Sequence, residues 1–459
     1  MSRLEEREAA LLALASRVVE LAGRGESLEA YALHNVGTSV SAFEGAIERL
    51  TSAETLGVGL RLIVGGALGF AATSDVSDEG LALALAEARS NAELGTPDLG
   101  NVLPSPPTML PEPVPGLVDG SLPDVPAARK VAIALELDRL TASLDPRVRR
   151  AEGVSYGDAA TSVAVCSSAG VAASYSRTDA YAFVSALARS GDETQTGSGF
   201  TEGRGVDALD LTAAAREAVD RSVRLLGARK PATATVPVVL DRGVTADFLG
   251  VLADAFSADA VQKGRSLLAG QLGQRVASEI VTIVDDGRAA GSPGAAPFDD
   301  EGVATRRTPV ITAGVLTGYL HNTETAAREG GAARSTGNAA RGSYATAPGV
   351  APTNLLLDHP GIDPADVLRM AGTGLYVQQV SGIHSGVNQV SGELSVGATG
   401  LWIRDGELAE PVRELTVSST IPDMLGALLA VGNDRRWYPR GGSFAGCTVL
   451  IGAMTVAGS

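Results

Sequence analysis

Leu4, Leu11, Leu12, Ala15, Val18 and Val19 recur at helical spacing in the opening run MSRLEEREAALLALASRVVELAGR. That period predicts an amphipathic helix that buries one stripe. Over residues 28–73 the pattern shortens to runs such as EAYALHNV, SVSAFEGAIERL, GVGLRLIVGG and LGFAAT, which predict a meander of short strands. Ser77 can cap a helix over 78–94 that stops at Gly95, and a further helix over 129–144 ends before Asp145-Pro146. The period-2 runs in TSVAVCSSAGVAASYSRTDAYAFVSALAR favour antiparallel pairing. Asp210 can cap a helix to Leu226, ended by Gly227.

The segment GARKPATATVPVVLD, 227–241, reads as a boundary. It divides the chain into an N-terminal α+β domain, 1–228, and a C-terminal β-rich domain, 229–459, with one helix near 244–257. The second domain is strand-rich, and Asp405-Gly406 in RDGE is a good hairpin turn. Nine of the 22 prolines lie in 97–126, which predicts an extended surface loop or linker. The predicted fold class is α+β with two domains, the second built on extended antiparallel sheet.

Composition sharpens this picture. The chain has 459 residues, 45% hydrophobic and 20% charged, which fits a soluble globular protein of two domains. Its net charge is −16 and it has no basic run, so nucleic-acid binding by phosphate neutralisation is not expected. No apolar stretch reaches the roughly 20 residues needed to span a bilayer, so no membrane association is expected. The N-terminal helix does not read as a signal peptide, and Cys166 and Cys447 show no pairing pattern. A reducing cytoplasm is the expected location.

Candidate chemistry is sparse. His34, His321, His359 and His384 show no metal-ligand spacing with one another. GVSYG at 153–157 matches GxSxG, but a nucleophile elbow needs a helix after the serine, and a β-rich run follows here. Ser155 is therefore read as structural. Asp285, Asp286, Asp299, Asp300 and Glu301 supply five carboxylates, read first as solvated turn residues. The functional alternative is a hard-metal site or an acid/base pair. RSTGNAARGSYATAPGVAPTN, 334–354, offers Arg334 and Arg341, either of which could hold a carboxylate or phosphate from a mobile loop.

Several blocks carry a resemblance together: FDDEGVATRRTPVITAGVLTGYLHNTETA (298–326), RSTGNAAR (334–341), GIHSGVNQVSGELSVGATGLWI (382–403) and IGAMTVAG (451–458). In this order and spacing they resemble the TldD/PmbA family, and the likeness extends over nearly the whole chain. That resemblance implies a two-domain α+β protein that assembles into a peptidase for unstructured peptides. It further implies that TldD-type subunits carry zinc on an HExxxH helix, whereas PmbA (TldE)-type subunits lack the motif. Here the matching helix is TADFLGVLADAFSAD, 245–259, and the motif positions fall on Gly250, Val251 and Ala255. None carries a side-chain donor atom. Phe248, Leu249, Leu252 and Phe256 keep the helix's apolar stripe. Zinc-bearing relatives use a C-terminal cysteine as a further ligand, but Cys447 sits in a predicted final strand and is expected to be buried packing.

The expectation is thus a PmbA (TldE)-type subunit without metal or cofactor of its own and without catalytic residues, inactive alone. Zinc is expected in a TldD-type partner, the two forming a heterodimer around an unfolded peptide or peptide-like substrate. His384, Ser385 and Asn388, with His321, Arg334 and Arg341, are the expected substrate contacts. The glycine- and serine-rich run 381–403 is read as backbone that closely approaches substrate or partner, the peptide adding a strand to a sheet edge; contacts within its own loop are the plainer alternative. Other readings stay open: an independent hydrolase using Ser155 or the acidic cluster, a regulatory binding protein such as a modulator of DNA gyrase, and a subunit that serves an amide hydrolase of antibiotic biosynthesis.

Overall fold

A computed structural model describes residues 2–105 and 111–458. The central part of the proline-rich segment, 106–110, lies outside the described residues. The first half runs α1 (Arg3–Val19), β1 (Glu26–Phe43), β2 (Ala46–Val64), β3 (Ala67–Thr73), α2 (Asp78–Leu94), α3 (Ala127–Leu144), β4 (Val148–Ser167), β5 (Ala172–Ser190), β6 (Glu193–Gly203) and α4 (Leu211–Val223). Its six strands form one antiparallel sheet in the order β3-β2-β1-β4-β5-β6. The expected meander of short strands over 28–73 is corrected here. β1 and β2 are 18 and 19 residues long and stay in register nearly throughout, because no proline interrupts them and Glu44-Gly45 supplies the tight turn. Two cores line the helical side. One gathers α1 and α2 over Leu28, Leu60 and Leu62; the other gathers α3 and α4 over Val154, Tyr156 and Val184.

The second half continues β7 (Ala234–Leu240), α5 (Arg242–Ala255), α6 (Ala258–Gln262), β8 (Ile283–Asp286), β9 (Arg307–Thr312), β10 (Val315–Leu316), α7 (Thr323–Glu329), β11 (Ala339–Ala340), β12 (Gly349–Val350) and β13 (Asn354–Leu357). It ends with α8 (Pro364–Ala371), β14 (Gly374–Ser381), α9 (Ile383–Gly386), β15 (Glu393–Arg404), β16 (Glu407–Thr420), α10 (Ile421–Gly426), β17 (Leu428–Val431), β18 (Arg436–Pro439), β19 (Ser443–Gly446) and β20 (Val449–Ala457). The chain is therefore α+β with mostly antiparallel sheets, although β7–β14 and β13–β19 pair in parallel. One sheet runs β16-β15-β14-β7-β20-β17, and Thr416–Ser418 of β16 also pair with β20, closing five strands into a ring. The other runs β10-β9-β8-β13-β19-β18. A single large core joins both sheets, with Phe248, Leu249, Leu252 and Phe256 of α5 inside it.

The two halves are locked by buried charge. Arg61 on β2 donates to Glu29 on β1 and to Glu301 of the second half, each at 2.6 Å. Arg341 also donates to Glu29, and its backbone N–H donates to Asp300. Tyr31 donates to Asp300 at 3.1 Å, and Asp299 caps its own turn through the N–H groups of Glu301 and Val303. The acidic cluster expected as solvated turn residues is therefore inside the protein. Asp285, Asp299 and Glu301 are buried, and Asp286 and Asp300 are half-buried. A carboxylate there needs partners: Arg61 serves Glu301, Tyr31 and the Arg341 N–H serve Asp300, and Asn338 with backbone N–H groups serves Asp285.

Candidate functional site

Helix α5 is held at its start by one residue. Asp241 accepts from the Gly243 N–H at 2.8 Å as N-cap, from Arg221 of α4 at 2.9 Å and from the Tyr376 hydroxyl of β14 at 2.6 Å. Burial pushes its carboxyl up, but Arg221, Tyr376 and Gly243 together outweigh that and hold it below the usual range. The apolar side of α5 faces the core. Asp247, Gly250, Val251 and Asp254 are on its open side, as their three- and four-residue spacing requires.

A groove of about 950 Å³ runs along that open side. Val251 lines it together with α9 and the following turn: Ile383, His384, Ser385, Asn388, Val390 and Glu393 among others. The turn is anchored to the helix where Gln389 donates to Asp254 at 2.9 Å. Burial raises the Asp247 carboxyl, while Arg440 at 2.5 Å and the nearby His384 pull it back.

The predicted contact residues separate. His384, Ser385 and Asn388 come together at the groove beside Val251. Ser385 donates to the Gly382 carbonyl, and the Asn388 side chain accepts from the N–H groups of Val390 and Ser391. His384 is exposed and has no hydrogen bond among the described residues, so its ring is free for a ligand. His321 is elsewhere, buried beside α7 with Nε2 3.3 Å from Glu329, and burial lowers its basicity. Arg334 is exposed, outside the groove, and donates to the carbonyls of Gly331 and Ala333. Arg341 corrects the expectation of a free anion-binding side chain, because its guanidinium is buried against Glu29.

The glycine-rich run makes close contacts within its own chain. A Cβ on Gly386 would lie 2.3 Å from the Ser395 carbonyl oxygen, and one on Gly400 would lie 1.9 Å from that of Tyr376. The close approach is to the chain's own backbone. The flank of β15 near Leu394 is likewise taken by Val387 and Asn388 of the same chain. That part of the strand edge is therefore already paired within the chain, whereas the groove is open. Asp247, Asp254, Gln389 and Val390 were not singled out from sequence. The spacing of Asp247, Val251 and Asp254 along one helix face was the available signal.

The residues at the motif positions do not fit a zinc ion. Gly250 and Val251 are half-buried and carry no donor atom, and Ala255 is buried. Among the described residues, no group of three or more His, Cys, Asp or Glu side chains is placed to hold a metal ion. Cys447 is buried in the core, where burial pushes its thiol up to about 12. Ser155 lies within β4, opposite Ser41 and Phe183, with no helix behind it.

Three models of one family match in chain order: PmbA/TldA metallopeptidase domain 1 at 28–92, the central domain at 120–226 and the C-terminal domain at 233–458. The chain belongs to the PmbA/TldD family. Within this family fold, domain 1 and the central domain share one sheet, joined where β1 pairs with β4. Similar relatives include the metalloprotease PmbA of Escherichia coli O157:H7, 26% identical over 95% of this chain and 94% of that one. A metalloprotease of Methanothermobacter thermautotrophicus is 29% identical over 92% and 91%. Among solved structures, a Thermotoga maritima protein described as a modulator of DNA gyrase superposes with TM-score 0.87 at 26% identity, covering 99% of this chain and all of that one. TldE of Thermococcus kodakarensis shares the fold with TM-score 0.87 at 20% identity, over 98% and 99%. No helix among the described residues is long and apolar enough to cross a membrane.

Proposed function

We propose that this PmbA/TldD-family chain is the non-zinc-binding, PmbA (TldE)-type subunit of a TldD/TldE-type metallopeptidase complex. Its substrates are unstructured peptides or modified peptide and amide compounds. Its zinc-bearing TldD-type partner forms a heterodimer with it in the cytoplasm, and this chain completes the substrate chamber. One observation carries the reading: α5 keeps its apolar stripe, its cap and its place in the core, while positions 250, 251 and 255 offer no metal donor. The groove beside that helix supports a substrate-holding role, since it presents the unbonded His384 ring beside Val251.

The experiment measures zinc content and peptide hydrolysis on the pure chain, alone and mixed with a TldD-type protein of the same organism. Zinc and hydrolysis confined to the mixture are expected. Stoichiometric zinc and normal turnover by the lone chain would overturn the proposal and redirect attention to the buried carboxylates at 285–301.

A further inference from the structure

We infer that the groove beside α5 selects peptide segments bearing lysine or arginine side chains. This rests on the reading of the groove as a peptide site and adds the chemistry of its ligand.

The groove has two chemically distinct parts. Its apolar lining comes from Val251 of α5 and from Ile383, Val387 and Val390 of the opposing turn; Val390 is 59% exposed. Its border is acidic. Glu393 lines the groove. Asp254, one turn after Val251 on α5, is held by Gln389, which lines the groove. Both carboxylates are exposed, and neither has an ion-pair partner among the described residues. Asp247 lies two turns before Asp254 and is already neutralised by Arg440. The groove and its immediate border therefore carry two carboxylates without an ion-pair partner, with His384 also in the lining.

Lysine and arginine match that arrangement. Their aliphatic stems cover apolar surface while the charged head reaches outward. A glutamate-bearing peptide would meet repulsion from the same carboxylates. A glutamine-bearing peptide would use the apolar lining alone. The chain's net charge of −16 adds a longer-range field that draws cationic ligands and repels anionic ones. The volume, about 950 Å³, is at the upper end of ligand clefts, enough for an extended stretch of side chains.

The test is fluorescence anisotropy on the full chain with short unstructured peptides that differ only in carrying lysine, glutamine or glutamate at the same positions. Lysine peptides should bind about tenfold tighter than glutamine peptides, the sum of a few exposed charge pairs. Glutamate peptides should bind weakest, and salt should narrow the gap by screening. The double variant Asp254→Asn/Glu393→Gln should lose most of the lysine preference, read as the ratio of lysine- to glutamine-peptide affinity in that variant. Equal binding of lysine and glutamine peptides, or a preference that survives in the double variant, overturns the inference. Ser385→Trp, which fills the groove, separates the two levels. If it abolishes glutamine-peptide binding while no lysine preference exists, only the charge inference fails. If it changes nothing, or if no peptide binds the chain at all, the groove reading fails and takes this inference with it.

Discussion

The hydroxyl of Tyr376 donates to the carboxylate of Asp241 at 2.6 Å, and the same oxygen accepts from Arg221 at 2.9 Å. One buried carboxylate thus ties β14, α4 and the start of α5 together, and so sets the helix that lines the groove. Asp241→Asn turns an acceptor into a donor against Arg221, Tyr376 or Gly243 and leaves Arg221 without its counter-charge. We expect a loss of about 3 kcal/mol in urea unfolding at neutral pH. The Asp241 carboxyl is held below its ordinary value in the folded state. Its contribution is therefore present above the unfolded value near about 3.9 and disappears as pH falls through the lower folded value. An unchanged urea midpoint in the variant would contradict this.

Gly400 tests whether the glycine-rich run serves internal packing. Its missing Cβ would sit 1.9 Å from the Tyr376 carbonyl oxygen, a main-chain atom of the paired strand that cannot swing aside. Gly400→Ala should cost about 3 kcal/mol or prevent folding altogether. Gly153→Ala is the control, since a Cβ there meets nothing within 4 Å. It should change stability by less than about 0.5 kcal/mol. Equal thermal midpoints for the two variants would contradict the packing account.

Glu202 on β6 has no hydrogen-bond or ion-pair partner among the described residues, and burial raises its carboxyl to about 7, with Arg436 pulling it back. The folded state therefore binds this proton more tightly than the unfolded chain does. The contribution to stability is complete below the unfolded value near about 4.3 and is lost as pH rises through about 7. Glu202→Gln removes that fall and should make the protein more stable than wild type at pH 8 by about 2 kcal/mol. Urea midpoints at pH 5 and pH 8 measure it, and identical pH slopes in both proteins would show that Glu202 ionises freely.

His384 is exposed and makes no internal hydrogen bond among the described residues, so its removal should not touch the fold. In the complex with a TldD-type partner, His384→Ala should raise KM several-fold with kcat and complex formation unchanged, as expected for a ground-state contact equivalent to roughly 1 kcal/mol. Steady-state kinetics and gel filtration check both halves of this statement. Unchanged KM would place His384 outside the substrate path.

Signals that act within a few residues were readable from the chain. Ser77 caps α2 by accepting from the Gly80 N–H, and Gly95 ends it. Asp405 and Gly406, at φ 51° and 81°, form the tight turn between β15 and β16. The family blocks and the donor-free positions 250, 251 and 255 were likewise visible, because identity at a position needs no coordinates. The groove was half visible. Its loop stood out by composition, whereas Asp254 and Gln389 gained meaning only once they met across 135 residues.

The sequence by itself determined the α+β class, the five longer helices but not the short α6–α10, and the absence of a zinc donor set on α5, since each follows from side-chain identity and short-range backbone chemistry. Only the tertiary structure decided which charges are buried. Glu29 and Arg341 are 312 residues apart in the chain yet share one enclosed ion pair, so an arginine in a glycine-rich loop became a structural lock. The carboxylates at 299–301 became buried anchors for the same reason. Closure of the ring through β16 and β20 is likewise decided by strands that are not consecutive in the chain. Burial and long-range pairing depend on where the whole chain folds back on itself, and no local pattern encodes that position.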